Sequence, residues 1–163
     1  MRNHAGWDAL AYVRGSVFDG LMASKLGNIT FDCANPRELS YFWADVFGYP
    51  HADWPPDMKA DLLSKGLTEE DLSNRSVAED PTGEGPRFFF QRVPEGKTAK
   101  NRMHIDIRTN PDRRATLEEL VAEKDRIVAL GATVMVDFDG RWGPFEEHHF
   151  VMQDPEGNEF CLQ

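Results

Sequence analysis

The chain has 163 residues, 40% of them hydrophobic and 28% charged, which fits one globular domain with a substantial buried core. Its 28 acidic against 18 basic residues give a net charge of −10, a surface that repels phosphate backbones and anionic lipid and argues against nucleic-acid binding. No stretch approaches the roughly 20 apolar residues of a membrane span, and the start of the chain lacks the continuous apolar run of a signal peptide, so the expectation is a cytoplasmic protein without a membrane partner.

Residues 1–23 form an N-terminal extension in which Trp7, Leu10, Val13, Val17, Phe18 and Leu21 give a partial helical stripe, suited to docking on this protomer or on a neighbour. The first strand pattern is "NITFDCANP" from Asn28, where Ile29, Phe31 and Cys33 alternate with Asn28, Thr30 and Asp32. Asn35 then suits a helix N-cap and Pro36 the first helical turn. Leu39, Phe42, Trp43, Val46 and Phe47 make one apolar stripe, and Gly48 closes the helix. Residues 50–75 are irregular: "YPHADWPPD" reads as a loop, with Trp54 either a lid or simple packing. "LTEEDLSNR" reads as a short helix capped by Thr68. "SVAE", the turn "DPTG" and the strand "RFFFQRV" (87–93) complete this half.

The segment "RVPEGKTAKNR" (92–102) gathers Arg92, Lys97, Lys100 and Arg102, either to steer an anionic ligand or as a solvated linker. In "RMHIDIRT", Met103, Ile105 and Ile107 alternate with His104, Asp106 and Arg108, so one strand face carries a histidine, an acid and an arginine. Thr116 and Glu119 resemble a capping box, Leu117, Leu120, Val121, Lys124 and Val128 follow at helical spacing, and Gly131 ends the helix. Two strands, 132–138 and 146–153, are joined by "DGRWGPF", whose Trp142 is either a pocket lid or loop packing. His148 and His149 face opposite sides of their strand, so at most one can enter any pocket. "DPEG" and "NEFCLQ" end the chain. Cys33 and Cys161 sit in apolar, strand-like surroundings and read as free thiols in preference to a disulfide.

The two halves repeat. Asn28 and His104 are 76 residues apart, and Asp80 and Asp154 are 74 apart. A near-constant offset over strand, Asn-Pro, helix and turn points to two copies of one strand–helix–strands unit. Two copies are too few for a solenoid, so they are expected to pair.

The strand and Asn-Pro, "ELSYFWADVFGY", "DPTG", "QRVPEGKTAKNRMHIDIR" and the terminal "DPEGNEFCL" resemble the glyoxalase-like branch of the vicinal oxygen chelate superfamily. That superfamily takes in glyoxalases, extradiol dioxygenases, and fosfomycin- and bleomycin-resistance proteins. The resemblance covers residues 24–163, with module one at 24–97 and module two at 98–163. It implies an α+β fold of two paired βαβββ modules forming a curved sheet around a central cup, helices outside, with a small organic ligand in the cup and homodimers common.

On that fold Met103, Ile105 and Ile107 meet the second helix, while His104, Asp106 and Arg108 point into the cup with Asn28, Thr30 and Asp32. Metal-dependent relatives carry His and Glu ligands on the first and last strand of each module. The matching positions here are Asn28, Gln91, His104 and Cys161, a poor set for a hard divalent ion. The expectation is therefore no cofactor, with a divalent metal admitted only through a rearranged set such as His104, Glu159 and His149. Expected ligand contacts are Asn28, Thr30, Asp32, Gln91, Arg108, Trp142 and Cys161. His104 is the candidate acid–base group, with Asp106 acting on it only through a relay, because i and i+2 side chains stand about 7 Å apart along a strand. The competing reading is a metal-dependent lyase or dioxygenase that uses His104.

Overall fold

A computed structural model describes residues 26–163; the helical stripe read between residues 7 and 21 lies outside the described residues. In chain order the elements are β1 (Ile29–Cys33), α1 (Pro36–Phe47), α2 (Pro56–Ser64), α3 (Glu69–Ser73), β2 (Arg75–Ala78), β3 (Phe88–Arg92), β4 (Ile105–Ile107), α4 (Leu117–Ala129), β5 (Thr133–Trp142), β6 (Phe145–Gln153) and β7 (Glu159–Leu162). They form two sheets, ordered β1-β3-β2 and β4-β7-β6-β5. The repeat is visible in the pairing: β1 runs parallel to β3 as β4 runs parallel to β7, and in each half the penultimate and last strands are antiparallel. The strand of module two that has no partner in module one is β5. In its place module one carries α2 and α3.

The strand phases follow from burial. Cys33, Phe88, Phe90, Ile107, Phe150, Met152, Phe160 and Leu162 are buried on the helix side, while Thr30, Asp32, Gln91 and Asp106 are exposed on the other. Helix α1 buries Leu39, Phe42, Trp43 and Val46, the predicted stripe. Trp43 is 1% exposed and meets Phe31 at 5.3 Å, Phe88 at 5.6 Å and, from module two, Phe160 at 5.3 Å between ring centroids. One aromatic cluster thus joins the modules.

Several local expectations change. Asn35 occupies the N-cap but its side chain caps nothing; the Glu156 carboxylate of module two instead accepts from Ala34 N (2.6 Å) and Asn35 N (2.7 Å). The "WPPD" loop starts helix α2, because Pro56 takes its first position, where a missing N–H costs nothing. Helix α4 buries Leu120 and Ile127, whereas Leu117, Val121 and Val128 are exposed. Its roll is fixed by Arg126, which donates to the carbonyls of Asp45 (3.0 Å) and Val46 (2.9 Å) at the end of α1. The predicted Thr116–Glu119 box is present, and the predicted Thr68 cap is completed by Asp71 into a second box. The "DGRWGPF" segment continues the ladder, pairing Trp142 with Phe145. Met103 is 69% exposed, since β4 begins only at Ile105.

Candidate functional site

A cleft of about 250 Å³ lies where β1 faces the segment leading into β4. Thr30 and Asp32 line it from module one, and Arg102, His104, Asn158 and Glu159 from module two. The alternation of β1 turns Thr30 and Asp32 away from α1, and Trp43 and Phe31 supply the apolar wall.

His104 is half exposed, with its Nε2 3.3 Å from Asp106 Oδ1. The expected relay is unnecessary: His104 lies just before β4, and its imidazole reaches the carboxylate directly. Asp106 faces Cys161 across the β4–β7 ladder. His104, Asp106 and Cys161 each offer a ligand atom within 4.8 Å of the others, the one such trio among the described residues. Burial, then the negative charge of Asp106, pushes the Cys161 thiol up, so it stays protonated and is a weak nucleophile. Buried Cys33, far from this trio in role, is pushed up to about 12, mainly by burial.

Other predicted residues are held in different arrangements. Asn28 Oδ1 accepts from Arg87 Nη1 at 2.6 Å. Gln91 donates to Asp32 Oδ1 at 2.7 Å. Glu159 accepts from Asn101 N at 3.0 Å and pairs with Lys97 at 3.0 Å; the Asn101 N–H, then Lys97, holds its carboxyl down to about 2. His149 stacks on Phe138 at 4.7 Å, and Trp142, 68% exposed, stacks on Phe145 at the hairpin tip. Arg108 is exposed just past β4. Sequence reasoning noted Arg102 only as part of the basic linker and missed Asn158 and the wall role of Trp43; Arg102 and Asn158 sit in segments without periodicity, which carry no facing signal.

The four positions that match the relatives' ligands do not suit a hard divalent ion. Two are amides already engaged by neighbouring side chains, and one is a protonated thiol. The trio of imidazole, carboxylate and thiol is a different donor set, all from module two, and its softer donors suit an ion such as Zn²⁺.

Two sheets whose penultimate and last strands are antiparallel and whose first and last strands are parallel, with an interface cleft, define a glyoxalase-type fold of the vicinal oxygen chelate superfamily. A family model described as a glyoxalase-like domain matches residues 28–163, and the chain belongs to that family. Among solved structures, a fosfomycin-resistance protein, FosX, from Listeria monocytogenes, in a mutant form complexed with Mn(II) and 1S,2S-dihydroxypropylphosphonic acid, superposes with a TM-score of 0.59 at 18% identity, covering 87% of this chain and 92% of that one. A glyoxalase/bleomycin resistance protein/dioxygenase family enzyme from Burkholderia phytofirmans PsJN gives 0.54 at 13% identity, covering 83% and 94%. A possible glyoxalase from Bacillus cereus gives 0.53 at 13%, covering 86% and 99%. At these identities the likeness is one of fold. No curated protein sequence matches the chain. Among the described residues no helix is long and apolar enough to cross a membrane.

Proposed function

We propose that this protein binds a small polar organic molecule in the cleft between its modules, without the usual metal site of its relatives. The observation that carries this reading is the convergence of Thr30 and Asp32 with His104 and Asn158 on one cleft. Polar groups from two modules on one cleft offer a set of donors and acceptors that a small polar ligand can engage. The cleft volume of about 250 Å³ restricts the ligand to a small metabolite. In this reading His104 meets the ligand, Asp106 orients the imidazole through Nε2, and proton exchange at Nδ1 is the chemistry on offer. A cytoplasmic homodimer is part of the proposal, supported by the free edge of β5 with exposed Met135 and Val136.

A thermal-shift screen of small hydroxy- and keto-acids and aldehydes tests it. Hits should lose at least about tenfold in affinity in His104→Ala, with the melting temperature of the free protein unchanged because His104 is exposed. Hits indifferent to both His104→Ala and Asp32→Ala would defeat the reading.

A second reading is favoured by the His104, Asp106 and Cys161 trio: a metal-dependent lyase or dioxygenase. An ion held there would supply Lewis-acid chemistry, and its uptake would release the Cys161 proton, so binding would strengthen as pH rises. Calorimetric titration with Zn²⁺ and Mn²⁺, at two pH values and in Cys161→Ser, separates the readings: stoichiometric, proton-releasing uptake lost in the variant selects the second.

A further inference from the structure

The helices that replace a strand in module one enclose a second and larger hollow. It has a volume of about 550 Å³ and lies among α2, α3 and the start of β2. Trp54, Met58, Leu62, Leu67 and Leu72 give it an apolar body. The indole N–H of Trp54 is already spent on Leu72 O at 3.1 Å, so the rest of the ring serves the hollow alone. Helix α2 buries none of its residues, and Met58 and Leu67 are 50% and 39% exposed. Apolar side chains arranged this way around open space are not packing a core.

The polar end is equally specific. Asn74 Oδ1 is buried and lacks a hydrogen-bond partner, and an orphaned acceptor of this kind calls for a donor. Beside it, Arg75 is exposed and enters none of the ion pairs among the described residues. The Asp71 carboxylate is near enough to feel its charge but forms no ion pair with it and is engaged instead by the N–H and the hydroxyl of Thr68 in the capping box of α3. Arg75 also belongs to the sheet face turned away from α1, opposite Gln91 in register, whereas Ser76 on the other face bonds Ser40 of α1. Strand geometry therefore sets the face on which Arg75 stands, and its side chain forms part of the wall of the hollow.

An apolar body, an unpaired acceptor and an unpaired cation have one complement. We infer that the hollow is a second binding site, for a small carboxylate with an aromatic or branched aliphatic body and an N–H or O–H next to the carboxylate. The carboxylate pairs with Arg75, the donor fills Asn74 Oδ1, and the body lies against Trp54, Met58 and Leu62. A volume of about 550 Å³ is within the range of drug-sized ligand pockets. This site is separate from the cleft at His104 and does not depend on what that cleft binds.

N-acetyl-L-phenylalanine has all three features and serves as the probe, followed by two-dimensional ¹H–¹⁵N NMR of the full chain. Saturable shifts are expected at the Trp54 indole N–H and at the Leu67, Leu72 and Arg75 amides. Its methyl ester should bind at least about tenfold more weakly, the loss expected for one charge-assisted pair. Arg75→Gln, at an exposed position, should weaken the acid to the level of the ester while leaving the rest of the spectrum in place. Leu62→Glu should abolish the shifts, and Arg75→Gln keeps the test decisive if that variant unfolds. No saturable shift by about 10 mM, equal binding of acid and ester, or shifts centred on residues 101–104 would each overturn the inference.

Discussion

Helix α4 is started by its own sequence: Thr116 accepts from Glu119 N and Glu119 reaches back to Thr116 N. Arg113 adds a two-pronged pair to Glu119, which falls to about 2 through that pair first and the Thr116 N–H next. Helix α1 has the same role in the other module and is held from outside. Glu156, in the last turn of module two, takes the N–H groups before α1, and Arg126 of α4 takes the carbonyls at its end. The signs are correct for the helix dipole, negative at the N-terminus and positive at the C-terminus. A duplicated unit has thus acquired an asymmetry. Module two is built to stand by local contacts, and module one is completed by module two.

The largest expected effect comes from removing the hub of that dependence. Trp43→Ala should lower the unfolding free energy by about 3–5 kcal/mol, measured by urea denaturation, and should loosen both modules together because Trp43 touches Phe88 and Phe160. A variant in which only module one lost amide protection would show that the modules are separate cooperative units. Next come the clamps. Glu156→Ala and Arg126→Ala should each cost about 1–2 kcal/mol, and hydrogen exchange should speed up at the ends of α1, not within the module that holds the mutation. Thr116→Ala should cost about 1 kcal/mol and fray α4 alone. Equal local fraying in all three would remove the asymmetry.

This difference also explains what the sequence revealed. The Thr116–Glu119 box and the Thr68 cap are legible because both partners lie within three residues. The capping of α1 is not, because Asn35 matches a cap in type while the group that binds its N–H lies 121 residues away. The paired strands and the α1 stripe followed from periodicity, which reports burial without naming the partner. At the site, the positions of His104 and Cys161 came through the repeat and the family resemblance. The direct His104–Asp106 contact did not, because the expected i, i+2 separation is that of a regular strand, while β4 begins only at Ile105. Helix α2 was hidden behind two prolines that read as loop and in fact begin a helix.

The two Asp-Pro-x-Gly turns carry the comparison to its smallest effect. Asp80 accepts from Thr82 N and Oγ1 and from Gly85 N in an accessible turn, and these donors, the Thr82 N–H first, hold its carboxyl below the ordinary range. Asp154 accepts from Glu156 N, Asn158 and the Trp43 indole but is 3% exposed, and burial pushes it up. The signs are opposite. Asp80 contributes stability that is complete above the ordinary carboxylate value and lost as pH falls through its lower folded value. Asp154 favours the folded state in its protonated form, a contribution complete at low pH and lost as pH rises through its raised folded value. Carboxyl ¹³C titration should therefore place the Asp80 midpoint below that of Asp154. Trp43→Phe keeps an aromatic ring in the core and removes the indole donor at 3.2 Å, so it should raise the Asp154 midpoint further and leave Asp80 where it was. An Asp154 midpoint that did not move would mean that the indole bond contributes nothing to holding the ionised carboxylate, and that the link between the modules there rests on ring packing alone.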